Sequence, residues 1–315
     1  MKINKIIIVL AITTLITFAA CKKKDSTTTN PTPPVTYGVI SFHLHTNIST
    51  NEDSLINYFG QGVPIQDSLF YATNSVFHTN HFINIKLDTA QFYISGIVLH
   101  NTNGGSVAVS GQYILKYIGA EGPYIIGSVP TGNYSSVSFN VGLDAMANGM
   151  APGSMSSANQ VFPSGTGSTF NVFNPPATFT SSVGQPGDIA PMYVNAGTGY
   201  NTMLVAGFAD TSANQSGQYM HFSYQIAGMG SMPITVPISL PAQTMTNAGQ
   251  TSVGVTTANT LAAPAEMHLI CDYGQLLKGI TNFKTQNSVT PATSTSPLAD
   301  TLIKHIGTMF HYEYN

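Results

Sequence analysis

Short runs of β-branched and aromatic residues, separated by Gly, Pro and Asn, set the rhythm of this chain from Tyr37 onward. That rhythm is the pattern of an all-β sandwich or barrel. It predicts strands over residues 38–46, 82–87, 90–100, 112–118, 124–129, 135–141, 203–209, 219–226, 234–240, 251–257 and 266–271. Helical spacing is scarce: residues 54–59 and 298–306 carry it best, the second through Leu298, Leu302, Ile303 and Ile306. The stretches 146–191 and 241–264 are rich in Ser, Thr, Gly, Asn and Ala and read as long polar loops. The expected architecture is an antiparallel β-sandwich-like domain over residues 37–315 with few short helices. No repeat of fixed period supports a solenoid or propeller.

The first 36 residues follow a different pattern. Lys2 and Lys5 precede an uncharged, mostly apolar run over residues 6–20 that ends in small residues. Such a run is short for a bilayer-spanning helix, which needs roughly 20 residues, and it reads as a signal peptide over residues 1–20. Phe18, Ala19, Ala20 and Cys21 resemble a bacterial lipobox, which makes Cys21 the expected site of lipid attachment. Residues 21–36 contain STTTNPTPP, with three prolines and nothing apolar to bury, and read as a tether. The expected location is the outer membrane, on its periplasmic or cell-surface face, with the membrane as partner through the lipid.

Composition narrows the chemistry. Charged residues make up 7% of the 315 positions and apolar ones 43%, enough for a core but too few charges for a coiled coil or a charged disordered chain. All ten basic residues are Lys, and there is no Trp. Without Arg the usual bidentate readers of phosphate are missing, and from residue 35 onward five Lys face every acidic residue but Asp25, so no nucleic-acid partner is expected. With Cys21 lipidated, Cys271 is left alone; alternating with Met267 and Leu269, it is expected to point into the core. No nucleophile-elbow, zinc-protease, phosphate-loop or dinucleotide motif is present, so no enzyme is expected.

The strongest metal signal is His43-Leu44-His45. On a strand, side chains at i and i+2 leave the same face about 7 Å apart, so two imidazoles can reach one ion; the bland alternative is a wet strand face carrying two solvated His. His78 and His81 form a weaker pair, and His221 and His268 fall singly in late strands. Asp144 and Asp272 sit where a strand ends and a turn begins, places at which Asp commonly caps backbone N–H groups.

Five segments in order, LDTAQFYISGIVLH (87–100), QYILKYI (112–118), GSVPTGNYSSVSFNVGLDAMAN (127–148), MHLICDYGQLLKG (267–279) and LADTLIKHIGTMF (298–310), resemble the MbnP-like family of secreted bacterial proteins. The resemblance extends over about residues 39–310. It implies a β-sandwich-like extracellular domain and copper as cofactor, held in relatives by His together with a Trp oxidised to kynurenine. The family's Trp-bearing segment falls at residues 190–198, APMYVNAGT, and a second family His falls near Gln225, with His221 four residues earlier. Kynurenine is excluded by the absence of Trp. The implied ligands are therefore His43 and His45 with His221, in a site made of His alone. The alternative is a metal-free module that uses the same scaffold to bind a protein or glycan.

Overall fold

Strands dominate the computed structural model of the chain, which describes residues 34–47, 69–71, 83–109, 111–117, 122–154, 160–161, 172–173, 179–181, 185–189, 191–212, 218–240 and 252–312. The chain divides into two units, Met1–Val35 and Thr36–Asn315, and the elements below belong to the second. The signal segment, Cys21, the helix expected over 54–59, and His78 and His81 lie outside the described residues.

In chain order the first strands are β1 (Tyr37–Asn47), β2 (Leu69–Tyr71), β3 (Ile83–Asn101), β4 (Ser106–Val109), β5 (Tyr113–Tyr117), β6 (Tyr124–Pro130) and β7 (Gly132–Val141). The short α1 (Ala145–Asn148) precedes β8 (Gln160–Val161), β9 (Phe179–Ser181), β10 (Gln185–Ile189), β11 (Tyr193–Asn195), β12 (Gly199–Asp210) and β13 (Tyr219–Ala227). Then come β14 (Val236–Ser239), β15 (Val253–Val255), β16 (Ala265–Asp272), α2 (Tyr273–Leu277), β17 (Ser288–Val289), α3 (Pro297–Ile306) and β18 (Phe310–Tyr312). A four-stranded sheet in the order β18-β16-β1-β6 faces a 12-stranded sheet whose central path is β14-β7-β3-β12-β13-β17. One core joins them: Phe42, Leu44, Met267 and Leu269 from the small sheet pack in the same apolar cluster as Phe92, Ile94, Phe139 and Val205 from the large one.

The all-β sandwich-like class is as expected, with three differences. The two strands expected over 82–87 and 90–100 are one, β3, because the ladder to β12 runs on from Leu87 to Thr89 with a register shift between them. Gly96, at φ +59°, marks where β3 bends, and beyond it the register to β7 shifts. The left-handed conformation there favours Gly, and a Cβ would meet the Asn140 side-chain amide, Nδ2 at 2.5 Å, which would have to move aside. The pairing is also mixed rather than purely antiparallel: β1–β16, β5–β8 and β13–β17 run parallel. Finally, the long polar stretch 146–191 is not wholly loop, since it contributes most of α1 together with β8, β9 and β10, while β15 is the strand expected over 251–257.

A second apolar cluster, with Tyr93, Tyr113, Phe173 and Tyr200 at its centre, uses the opposite face of the large sheet. Its phenols find partners at the edge: Tyr93 donates to Val172 O at 2.7 Å and Tyr113 to Asp144 Oδ2 at 2.7 Å. Burial raises the Tyr93 phenol well above its ordinary value and pushes that of Tyr117 up to about 12, so both stay neutral. The two aspartates are caps, as their positions suggest. Asp144 accepts from Ala147 N at the start of α1, and Asp272 accepts from Gly274 N and Gln275 N at the start of α2. Cys271 is fully buried in the core.

On α3, desolvation first and Lys278 second lower the pKa of His305. A group whose folded value is depressed contributes stability that is complete above its ordinary value, near 6.5, and is lost as pH falls through the lowered one. Denaturant titrations at about pH 7.5 and 5.5 are therefore expected to show a smaller acid loss for His305→Gln than for the wild type.

Candidate metal centre

The parallel pair β1–β16 builds the site. In β1, Ile40, Phe42 and Leu44 are fully buried against the core, which turns Ser41, His43 and His45 to the other face. In β16, Met267, Leu269 and Cys271 are likewise buried, and Glu266 and His268 point the other way. The register sets His43 opposite His268 and Ser41 opposite Glu266. Two strands more than 200 residues apart thus place their polar stripes side by side.

The three imidazoles lie close together. His43 and His45 stack with centroids 4.4 Å apart and planes at 12°, and His43 and His268 at 4.9 Å and 14°. His45 Nε2 and His268 Nδ1 are hydrogen-bonded at 3.2 Å. One ring nitrogen from each of His43, His45 and His268 falls within 4.8 Å of the others. Glu266 Oε2 stands 3.4 Å from His268 Nε2 and 3.8 Å from His43 Nδ1. The His43 and His268 side chains are each 25% exposed and that of Glu266 is 36% exposed, so an ion can reach them while much of the surrounding water is excluded. Neutral imidazole is a ligand for Cu, Zn and Ni, and three of them at this spacing form a donor set that a small shift closes on one ion.

His221 does not join this group. It is exposed on β13 in the large sheet, opposite Phe208, whose ring it meets edge-on at 5.3 Å. Gln225 lies on the same strand, opposite Leu204. In the place expected for His221 stands His268, which a reading of strands one at a time passes over. The signal was present: Glu266-Met267-His268 repeats the polar-apolar alternation of His43-Leu44-His45, so each strand carries His on its polar stripe. His311 on β18 pairs with Ile270 and shares this face without entering the group of three. His100 sits elsewhere, between Ser106 Oγ and Ser138 Oγ, each at 3.0 Å. No helix among the described residues is long and apolar enough to cross a membrane.

Comparison with known proteins places the chain. No curated protein sequence matches it. Among solved structures it is similar to MbnP from Methylosinus trichosporium, with 11% identity, a TM-score of 0.34 and 78% of each chain covered. The sequence model described as MbnP matches residues 57–294, a stretch that includes Glu266 and His268 and begins after His43 and His45. That stretch is well over half of the 315 residues, and the chain therefore belongs to the MbnP family.

Proposed function

We propose that this chain is a secreted, membrane-anchored lipoprotein that binds one metal ion, copper, through His43, His45 and His268. The observation that carries the reading is the convergence of three imidazole nitrogens within 4.8 Å. Two nitrogens bound tetrahedrally to one ion at about 2.0–2.1 Å stand roughly 3.3 Å apart. The His45–His268 pair is already at 3.2 Å, so two of the three ligands need almost no movement. Copper is favoured on two grounds. Cu(II) stands highest in the divalent affinity order for nitrogen donors, and the family resemblance implies copper. A kynurenine ligand has no source in a chain without Trp, so the donors are His alone. When bound, the ion supplies a coordination centre with room for a further ligand; the residues supply orientation and partial exclusion of water.

Titration of the full-length chain with Cu(II), followed by metal content and visible spectra, tests this. About one ion per chain is expected, released as imidazoles protonate in acid. No uptake above background overturns the reading and leaves a metal-free binding module on the same scaffold.

The anchor is a separate part of the proposal, supported by the apolar run over 6–20 and by Ala19-Ala20-Cys21. Expressed in a bacterium that processes lipoproteins, the chain is expected to incorporate labelled fatty acid and sediment with membranes. Cys21→Ser is expected to lose both properties; label retained by that variant overturns the assignment.

A further inference from the structure

Glu266 faces two of the three imidazoles with one oxygen. His268 Nε2 lies 3.4 Å from Glu266 Oε2, and the other ring nitrogen, Nδ1, is the one hydrogen-bonded to His45 Nε2 at 3.2 Å. An ionised carboxylate only accepts hydrogen bonds. A neutral His268 that donates to this carboxylate carries its proton on Nε2, which leaves the Nδ1 lone pair directed at His45 and makes His45 Nε2–H the donor between the rings. His43 Nδ1, a nitrogen shielded from solvent, stands 3.8 Å from the same oxygen.

Resting on the metal reading above, we propose that Glu266 is the positioning residue of this centre, holding His268 in the tautomer that offers Nδ1 to the ion. The register places it there: Glu266 precedes His268 by two residues on the same face of β16, opposite Ser41 and beside His43. A carboxylate behind a ligating imidazole fixes the ring's orientation and makes its free nitrogen more basic. His45 Nε2 and His268 Nδ1 would hold the ion where the shared proton now lies; His45 would release its Nε2 proton and take one on Nδ1, so that it stays a neutral imidazole and no net proton is lost.

Long-range proton–nitrogen NMR of the full-length chain with and without Zn(II), a diamagnetic probe, reads this directly. In the metal-free protein His268 is expected to show a hydrogen-bonded Nε2–H that becomes exchange-averaged in Glu266→Ala. On adding Zn(II), His268 Nδ1 is expected to shift while Nε2 keeps its proton. Zn(II) affinity is expected to fall roughly 10–100-fold in Glu266→Ala, with part of it restored in Glu266→Gln, which keeps an acceptor oxygen in that place. Coordination through Nε2 of His268, or unchanged affinity in Glu266→Ala, overturns the proposal. If the wild type takes up no ion, the metal reading fails, and the hydrogen bond is still measured. Its presence in the wild type and loss in Glu266→Ala keeps the positioning role, and its absence in the wild type overturns it.

Discussion

Replacing His43 and His45 together by alanine is expected to weaken Cu(II) binding by at least about a hundredfold, because losing ligands costs more than the 10–100-fold typical of an outer-shell partner. His268→Ala is expected to fall in the same class. It removes the nitrogen that stands 3.2 Å from His45 Nε2, and with it the pair that needs least movement to hold an ion. His221→Ala is the control: exposed on β13 against Phe208, it is expected to leave affinity unchanged. These side chains leave the face of β1 and β16 that is turned away from the core, so unfolding midpoints are expected to change little, by within about 1 kcal/mol. Calorimetric titration of the four proteins separates the outcomes. Wild-type affinity in the double variant, or a loss in His221→Ala as large as in His268→Ala, sinks the assignment of ligands.

Phe310→Ala is expected to cost about 3–5 kcal/mol of stability, the usual range for deleting a buried aromatic ring. Phe310 is nearly fully buried on the three-residue β18, at the edge of the small sheet, and its ring reaches across to the large one. It meets Phe92 of β3 edge-to-face at 5.4 Å and 88°, and Phe139 of β7 at 5.1 Å and 84°. Such pairs add to the area term because ring edges meet ring faces. A second side chain of β18 also reaches the large sheet, since Val137 N donates to Tyr312 Oη at 3.0 Å. Urea denaturation is expected to show a lower midpoint with the slope retained. Tyr37→Ala, at an exposed position, is expected to stay within about 0.5 kcal/mol. A midpoint for Phe310→Ala equal to that of Tyr37→Ala contradicts the bridging role of β18.

Both effects depend on the same arrangement, a small sheet with one face on the shared core and the other open to an ion. The dry face is built by Phe42, Leu44, Met267 and Leu269, and the polar face by His43, His45, Glu266 and His268. Because side chains alternate along a strand, stability and binding are carried by interleaved residues of the same two strands. A substitution at His43 or His45 acts on the site, and one at Ile40, Phe42 or Leu44 acts on the core.

Local pattern determined a good deal. Strand-forming runs and their punctuation marked β1, β5, β6, β7, β12, β13 and β16 to within a few residues, because β-branched alternation and Gly or Asn turns are short-range signals. The capping roles of Asp144 and Asp272, the burial of Cys271 and the shared face of His43 and His45 were legible for the same reason. The site's third imidazole was not. His268 carries no spacing relation to His43, and a lone His on a late strand looks the same whether its neighbour is water or another ring. Only the tertiary structure decided that β16 runs parallel to β1, in the register that sets His268 beside His43 and leaves His221 on the other sheet. Strand direction and register come from packing one apolar stripe against a shared core, and that information is distributed over residues far apart in the chain.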